Sequence, residues 1–538
     1  MVRTGYVSFV LIACGVMGIA LAGGARGESR GLENAPPNLI ATDAKLDDVI
    51  ARMHVADPEP TGSYRQQWKI DASGLSGTDA IVRSGSDYWE ETRLGPFSQT
   101  EGKYRGQRWH TNENGQVLLT TGVHERDTIT HDVLQQQHFD SSDGVALLGE
   151  DPALRAFVVA VAPKDGRKEW LFVDAMSGHV VREEDIYGQQ RQITQYADFR
   201  AEAGGPAIAH RVSWAYSDGR EPGSETLVSE VEGTGSADLR IPADARHLIE
   251  FPAGATRVVL PATFVRGHVV VRITIGGRGL DCLLDSGAGA IFLTEKVARE
   301  LQLPIYGASL ALGAGPVRMS RTIVPKIAVG ALTMHDVAVW TVPGDIQMSR
   351  DIDTVCILGF DFINSAAIRI DYENRKVEAI ASDAFDANAI TDSFALPAAL
   401  DDGVPLIPVA IGGATSRRFM LDTGSDNTIV FSRFAREHPD DVVDVKGMLR
   451  RVGSIAIGHT EGGNVVMAPT ELKSVTLGKV RFVEFTSFRS LDAGNFEGDD
   501  SDGLIGGSML QFFDLYFDYA HREIVFVPNG LLRRSLVR

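Results

Sequence analysis

Two short motifs in this sequence put an acid where it could do chemistry: Asp285-Ser286-Gly287-Ala288 and Asp422-Thr423-Gly424-Ser425. Taken singly, each is an ordinary turn, because Asx and Gly supply what turns require. Their surroundings, however, repeat in register. Ile275-Gly276-Gly277 precedes the first and Ile411-Gly412-Gly413 the second, while Ala298-Arg299-Glu300 and Ala435-Arg436-Glu437 each begin 13 residues after the acid. Ile357-Leu358-Gly359 and Leu504-Ile505-Gly506 come next, and Asp371-Tyr372 and Asp518-Tyr519 start 12 residues beyond those glycines, with Arg375 and Arg522 in step. This is internal duplication, and it makes Asp285 and Asp422 corresponding positions of one repeated unit.

Two carboxyl groups held together can hydrolyse an amide without metal or covalent intermediate. One serves as base toward water, and the other as acid toward the carbonyl oxygen and later the leaving nitrogen. At about 3 Å they cannot both ionise comfortably, so the pair shares one proton and titrates as a unit. The elements that position them are read from their neighbours. Leu283, Leu284, Met420 and Leu421 are apolar and bury the strands beneath, which raises the carboxyl pKa by desolvation. Gly287 and Gly424 let the backbone pass close to the acids with no side chain intervening.

These duplicated motifs resemble the retropepsin and pepsin superfamily of aspartic proteases. The resemblance implies a mainly β fold, with two tandem retropepsin-like β-barrel lobes at 262–385 and 386–530 forming a pepsin-like bilobal unit. Each lobe supplies one catalytic aspartate, Asp285 or Asp422, on a loop crossed by a strand bearing the apolar-Gly motif. It further implies that Ser286 and Thr423 hydrogen-bond across a pseudo-twofold to the opposite loop, and that hairpin flaps cover the substrate. Flap candidates are Gly313 and Gly315 in the first half and Gly458 and Gly462 in the second, although hinges or plain turns have the same composition. The acids precede the apolar-Gly motifs by 72 and 82 residues, spacings that suit small lobes. A monomer with an intramolecular pseudo-dimer is the simplest arrangement, and a homodimer pairing each lobe with its twin is the other. The implied activity is that of an aspartic endopeptidase acting on a peptide or protein substrate, with no cofactor.

Residues 28–240 differ in texture, with aromatic residues in alternating segments such as Tyr64 to Ile70 and turn signals at Asn112 to Gly115, Lys164 to Gly166 and Ser177-Gly178. A short helix is expected from Ala44 to Met53, where Leu46, Val49 and Ile50 recur at helical spacing. The region resembles the domain preceding the protease in secreted bacterial retropepsin-like proteins, itself similar to the curved-sheet lipoprotein-carrier family. That resemblance rests on Gly95 to Gly102, Gly106 to Trp109, Asn112 to Gly115 and Phe172 to Gly178. It implies a curved antiparallel-sheet α+β domain, either a scaffold or pro-region or a binder of an apolar ligand. Residues 241–261, interrupted by Pro252 and Pro261, read as a linker.

The opening residues 1–22 read as a secretory signal: Arg3, an apolar run from Val7 to Leu21, then Ala20-Leu21-Ala22. Leu11-Ile12-Ala13-Cys14 resembles a bacterial lipobox, but the apolar run continues past Cys14, against a lipid anchor there. No later run is long enough for a membrane span. Secretion or a periplasmic place in a bacterial cell envelope follows. Cys282 and Cys356 would remain after cleavage; they could pair, and we read them as buried free thiols. A formal charge of -19 excludes a general nucleic-acid binder, which needs clustered Lys and Arg. We find no zinc, phosphate-loop or serine-hydrolase motif, and the acidic stretch Glu497 to Gly503 reads as a solvated loop. The alternative function is an envelope lipid- or peptide-binding carrier with an inactive protease-like cleft, against which the two intact acids speak.

Overall fold

A computed structural model of the chain describes residues 18–19, 36, 38–56, 62–121, 125–134, 144–187, 190–201, 206–217, 219–233, 239–242, 248–312, 316–343, 347–349, 352–445, 456–460, 463–491 and 501–535. The signal reading falls almost wholly outside them, as does Cys14. The chain gathers into two compact units, one built on Ala25–Ala245 and the other on Arg246–Tyr306 and Leu310–Arg538. Among the described residues, no helix is long and apolar enough to cross a membrane.

The first unit is a 13-stranded antiparallel sheet made of two meanders. They join where Ser63–Ala72 pairs with Gly223–Glu232. Its turns use side-chain acceptors: Asn112 Oδ1 takes the N–H groups of Asn114 and Gln116 at 3.1 and 3.0 Å, and Asp174 Oδ1 takes those of Met176 and Ser177 at 3.1 and 2.7 Å. The expected helix forms as Leu46–Ala56 and buries Val49, Ile50 and Met53 against Trp68, Val159 and Leu171. A second helix, Glu125–Leu134, escaped the sequence reading. Its buried residues are Asp127, Thr130 and His131, so it offers no apolar stripe to recognise.

The second unit is organised around a six-stranded antiparallel sheet. Its order is Arg257–Val259, Lys376–Ile380, Ala367–Asp371, Phe513–Asp518, Glu523–Pro528, Phe394–Pro397. The central pair joins the two halves, Ile368 opposite Phe517 and Ile370 opposite Leu515. Arg369 binds Asp514 of the other half at 3.0 Å and Glu378 of its own at 2.9 Å. Burial of Phe513, Phe517 and Phe526 under this sheet supplies an apolar core. The stretch read as a linker is partly structured here: Arg257–Val259 is an edge strand and Leu260 is buried, its N–H donating to Val377 O. Prolines on either side hid that strand from pattern reading.

Each half adds a sheet of its own. In the first, Cys356–Leu358 runs parallel to Arg278–Leu284; in the second, Gly503–Ile505 runs parallel to Ala414–Leu421. Backbone conformation repeats with the sequence, Gly276 and Gly412 both at φ 58°, Arg375 and Arg522 at φ 55° and 54°.

The reading of Cys282 and Cys356 as free thiols is corrected. The parallel pairing sets the two opposite each other with Cα atoms 4.5 Å apart, and they form a disulfide. Phe419 and Gly503 hold the corresponding positions in the second half, and a Cβ on Gly503 would lie 2.6 Å from the Phe419 ring. One half therefore fills this place with a covalent bond, the other with an aromatic ring. Because the cysteines are 74 residues apart, loss of the bond should cost about 4 kcal/mol by loop closure. Cys282→Ala with Cys356→Ala is expected to lower the melting temperature of this unit by roughly 10 °C, measured by calorimetry.

Candidate active site

Asp285 and Asp422 sit at the ends of the two strands that the apolar-Gly strands accompany. Asp285 N–H donates to Leu358 O and Asp422 N–H to Ile505 O, each at 3.0 Å. Each carboxylate then turns back on its own loop: Asp285 Oδ1 accepts from Gly287 N–H and Asp422 Oδ1 from Gly424 N–H, both at 2.8 Å. Both acids are buried, at 0% and 2% exposure, and their carboxyl groups come together at one place: a Cβ on Gly287 would lie 2.8 Å from Asp422 Oδ1 and 3.2 Å from Asp285 Oδ1.

Four further hydrogen bonds tie the loops across the pseudo-twofold. Ser286 N–H donates to Thr423 Oγ1 at 2.9 Å and Thr423 N–H to Ser286 Oγ at 3.1 Å. Each hydroxyl passes its own proton across, Ser286 Oγ to Leu421 O at 2.7 Å and Thr423 Oγ1 to Leu284 O at 2.9 Å. Each of these buried hydroxyls donates one bond and accepts one on the opposite half, so the loops cannot separate without stranding polar groups. Gly287 is required by close approach: a Cβ there would lie 2.8 Å from Asp422 Cγ, and Gly424 stands equally against Asp285.

A second repeated strut supports each loop. Ile291 N–H donates to Asp361 Oδ2 at 2.7 Å, and Thr428 N–H to Ser508 Oγ at 3.0 Å. Each partner lies two residues beyond the apolar-Gly motif and each recipient six beyond the acid. The sequence reading missed this pair because Asp361 and Ser508 differ in type, although their register is the same. The Asp-Tyr repeats, read only as register marks, bring buried phenols toward the acids. Burial and the Asp422 charge raise the Tyr372 pKa, and burial and Asp285 raise that of Tyr519, so both rings stay neutral.

Burial is the largest influence on both acids. It pushes Asp285, beside the Asp422 charge, well above the usual carboxylate range, and lifts Asp422 to about 6. Asp422 is held lower because it accepts from Asp285 and from the N–H groups of Gly424 and Ser425, and lies in the positive potential of His268. Both shifts keep a proton within the dyad, and the groups around Asp422 favour its ionised form. His268 breaks the symmetry. It is 1% exposed, and its Nε2 lies 2.7 Å from Asp426 Oδ1. Gly289 and Val404, at the corresponding repeat positions, allow no second copy of that pair. No motif in the sequence singles out His268.

Of the flap candidates, Gly458 lies in the strand Ala456–Thr460, paired with Gly463–Leu477. Gly313, Gly315 and Gly462 lie outside the described residues. The strands flanking the first candidate, Tyr306–Leu312 and Pro316–Val329, are neighbours in the sheet. The acidic stretch is corrected where it is described. Asp502 is buried, accepting from Ser416 Oγ at 2.6 Å and pairing with Arg418 at 3.2 Å and Arg433 at 2.6 Å, because it leads into the strand crossing the second loop.

Residues 271–362 and 407–509 match the family model described as aspartyl protease, one segment around each acid. The chain thus carries, in tandem, two segments that match this aspartyl protease family model. Its structure is similar to that of an aspartic proteinase from Irpex lacteus (13% identity, covering 51% of this chain and 98% of that one, TM-score 0.33). It is also similar to a putative outer membrane lipoprotein-sorting protein domain from Vibrio parahaemolyticus (10% identity, 36% and 93% covered, TM-score 0.27) and to a LolA superfamily protein from Nitrosomonas europaea (13% identity, 36% and 96% covered, TM-score 0.26). A comparison with curated protein sequences gave no match.

The cross-loop bonds set a quantitative expectation. Thr423→Val keeps the shape but strands Ser286 N–H and frees Leu284 O, at a cost of about 1–3 kcal/mol. Displacement of a reacting group by about 1 Å costs on the order of 100-fold in rate. The variant should therefore melt several degrees lower, checked by thermal melts, and any rate that depends on the two acids should fall by about that factor.

Proposed function

We propose that this chain is an aspartic endopeptidase, hydrolysing peptide bonds with a water held between Asp285 and Asp422. The observation that carries the reading is the close approach of two buried carboxyl groups on loops clamped by a reciprocal hydroxyl exchange. Nothing in a binding cleft calls for two acids in mutual repulsion, whereas acid-base hydrolysis needs one proton shared between two carboxyls.

In this mechanism Asp422, the charged member, takes a proton from the water as it attacks the peptide carbonyl. Asp285 donates its proton to the carbonyl oxygen; as the gem-diol intermediate collapses and the C–N bond breaks, Asp422 gives its proton to the leaving nitrogen and Asp285 takes one back from the gem-diol hydroxyl. Ser286 and Thr423 orient the pair, and Gly287 and Gly424 keep side chains out of the space between. His268 positions charge on Asp422 and does not itself meet substrate. The strand pairs Tyr306–Leu312 with Pro316–Val329 and Ala456–Thr460 with Gly463–Leu477 act as flaps over the cleft. Both acids come from one chain, so the working unit is a monomer with an internal pseudo-dimer. Secretion into a bacterial envelope is supported by the leading segment and by the Cys282–Cys356 disulfide, a bond favoured in oxidising compartments.

Activity needs Asp422 ionised and Asp285 protonated. As pH falls through the raised Asp422 value of about 6, the base is lost, so kcat/KM should drop about tenfold per unit below it. The alkaline limb lies where Asp285 deprotonates. His268→Asn removes a potential that lowers Asp422 and should move the acid limb upward, leaving the alkaline limb nearly in place. On a diverse peptide library assayed from acidic to mildly alkaline pH, wild-type protein should cleave. Asp285→Asn and Asp422→Asn should each lose at least 1,000-fold, on the order of a lost acid or base. Absence of cleavage at every pH, or its survival in both variants, contradicts the proposal.

A further inference from the structure

The first unit contains a buried cluster unrelated to the dyad. His131 comes from the helix Glu125–Leu134, Glu169 from the strand Lys168–Asp174 and Glu183 from the strand Val180–Tyr187. One nitrogen or oxygen of each lies within 4.8 Å of the other two. All three are buried, at 3%, 1% and 5% exposure. Glu169 faces Asp185 across the strand pair, and Glu183 is two residues from Asp185, so the three acids share one face of the sheet. Asp127 adds a fourth acid and Arg167, its partner, the matching cation.

Buried carboxylates persist when paired, protonated or bound to a metal. Glu169 Oε1 is buried and has no hydrogen-bond partner. The surroundings are built as a metal site's outer shell is built. His131 Nδ1 donates to Asp127 O at 2.8 Å, which fixes its tautomer and leaves the lone pair on Nε2. Tyr196 hydroxyl donates to Glu183 Oε2 at 2.7 Å and orients that carboxylate. The helix is pinned to the turn leading into the Glu169 strand: Thr130 Oγ1 accepts from Arg167 N–H and donates to Arg167 O, both at 2.8 Å, and Arg126 Nη2 donates to Gly166 O at 3.0 Å.

We propose that His131, Glu169 and Glu183 bind a first-row divalent cation, of which zinc is the type, in the amino-terminal unit. One imidazole with two carboxylates suits such an ion, whereas calcium and magnesium take oxygen donors. Tetrahedral ligands about 2.1 Å from zinc stand about 3.4 Å apart, so closure of the cluster needs side-chain adjustment only. The ion neutralises the dry acids and ties helix to sheet. No zinc motif announced the site because its ligands come from three separate elements.

Full-length protein is stripped with chelator, dialysed, and titrated with zinc chloride by calorimetry, with bound metal counted by mass spectrometry. One zinc per chain is expected, with a rise of several degrees in melting temperature. His131→Ala and Glu183→Gln should each weaken binding 10- to 100-fold, while Asp285→Asn binds as wild type does. Glu169→Gln guards against a merely structural effect: removal of a buried acid should raise the melting temperature of stripped protein yet abolish the gain on adding zinc. X-ray absorption of the zinc form should show a single imidazole. Absence of one-to-one binding, or binding unchanged by both His131→Ala and Glu183→Gln, overturns the proposal.

Discussion

The second unit depends on an exchange of two hydroxyls. Ser286 and Thr423 each fill the hydrogen-bonding capacity of the opposite loop, accepting from its N–H and donating to the carbonyl one residue before its acid. In a buried site this is stronger than four separate bonds, because breaking one strands a partner on the other side. It forces Asp285 and Asp422 together against their mutual repulsion. The central strand pair of the six-stranded sheet, with Arg369 reaching Asp514, holds the halves at the separation the exchange requires.

A symmetric scaffold must still produce an asymmetric pair of acids, since the proposed hydrolysis would ask one for a base and the other for an acid. Asp426 and His268 break the symmetry on one side only, and the Ser425 N–H favours charge on the same aspartate. The halves also differ at the root of each loop, where a disulfide in one is answered by Phe419 packed over Gly503 in the other. Such differences show which contacts the fold must keep and which it can exchange.

The loops that matter most were legible in the sequence because their function constrains residue type: only an Asp, a hydroxyl and a glycine satisfy those positions, and both copies keep them. The Asp361 and Ser508 struts were hidden because a backbone N–H accepts help from either a carboxylate or a hydroxyl, so register survived while identity did not. His268 and the disulfide occur in one half only, and comparison between copies is blind to both. The helix Glu125–Leu134 lacked an apolar face because its inward residues, Asp127, Thr130 and His131, are polar, and the edge strand Arg257–Val259 was masked by flanking prolines. Where polar chemistry replaces hydrophobic burial, periodicity carries no signal.

The central claim is that one proton is shared within a single chain, resident on Asp285 with charge on Asp422. It is tested most directly by carboxyl-carbon NMR titration of protein labelled at aspartate, with the two resonances assigned by loss in Asp285→Asn and Asp422→Asn. The account predicts coupled titrations, Asp422 stepping near 6 and Asp285 well above it. Independent titration of both carboxyls in the ordinary aspartate range, near 3.8, would contradict it.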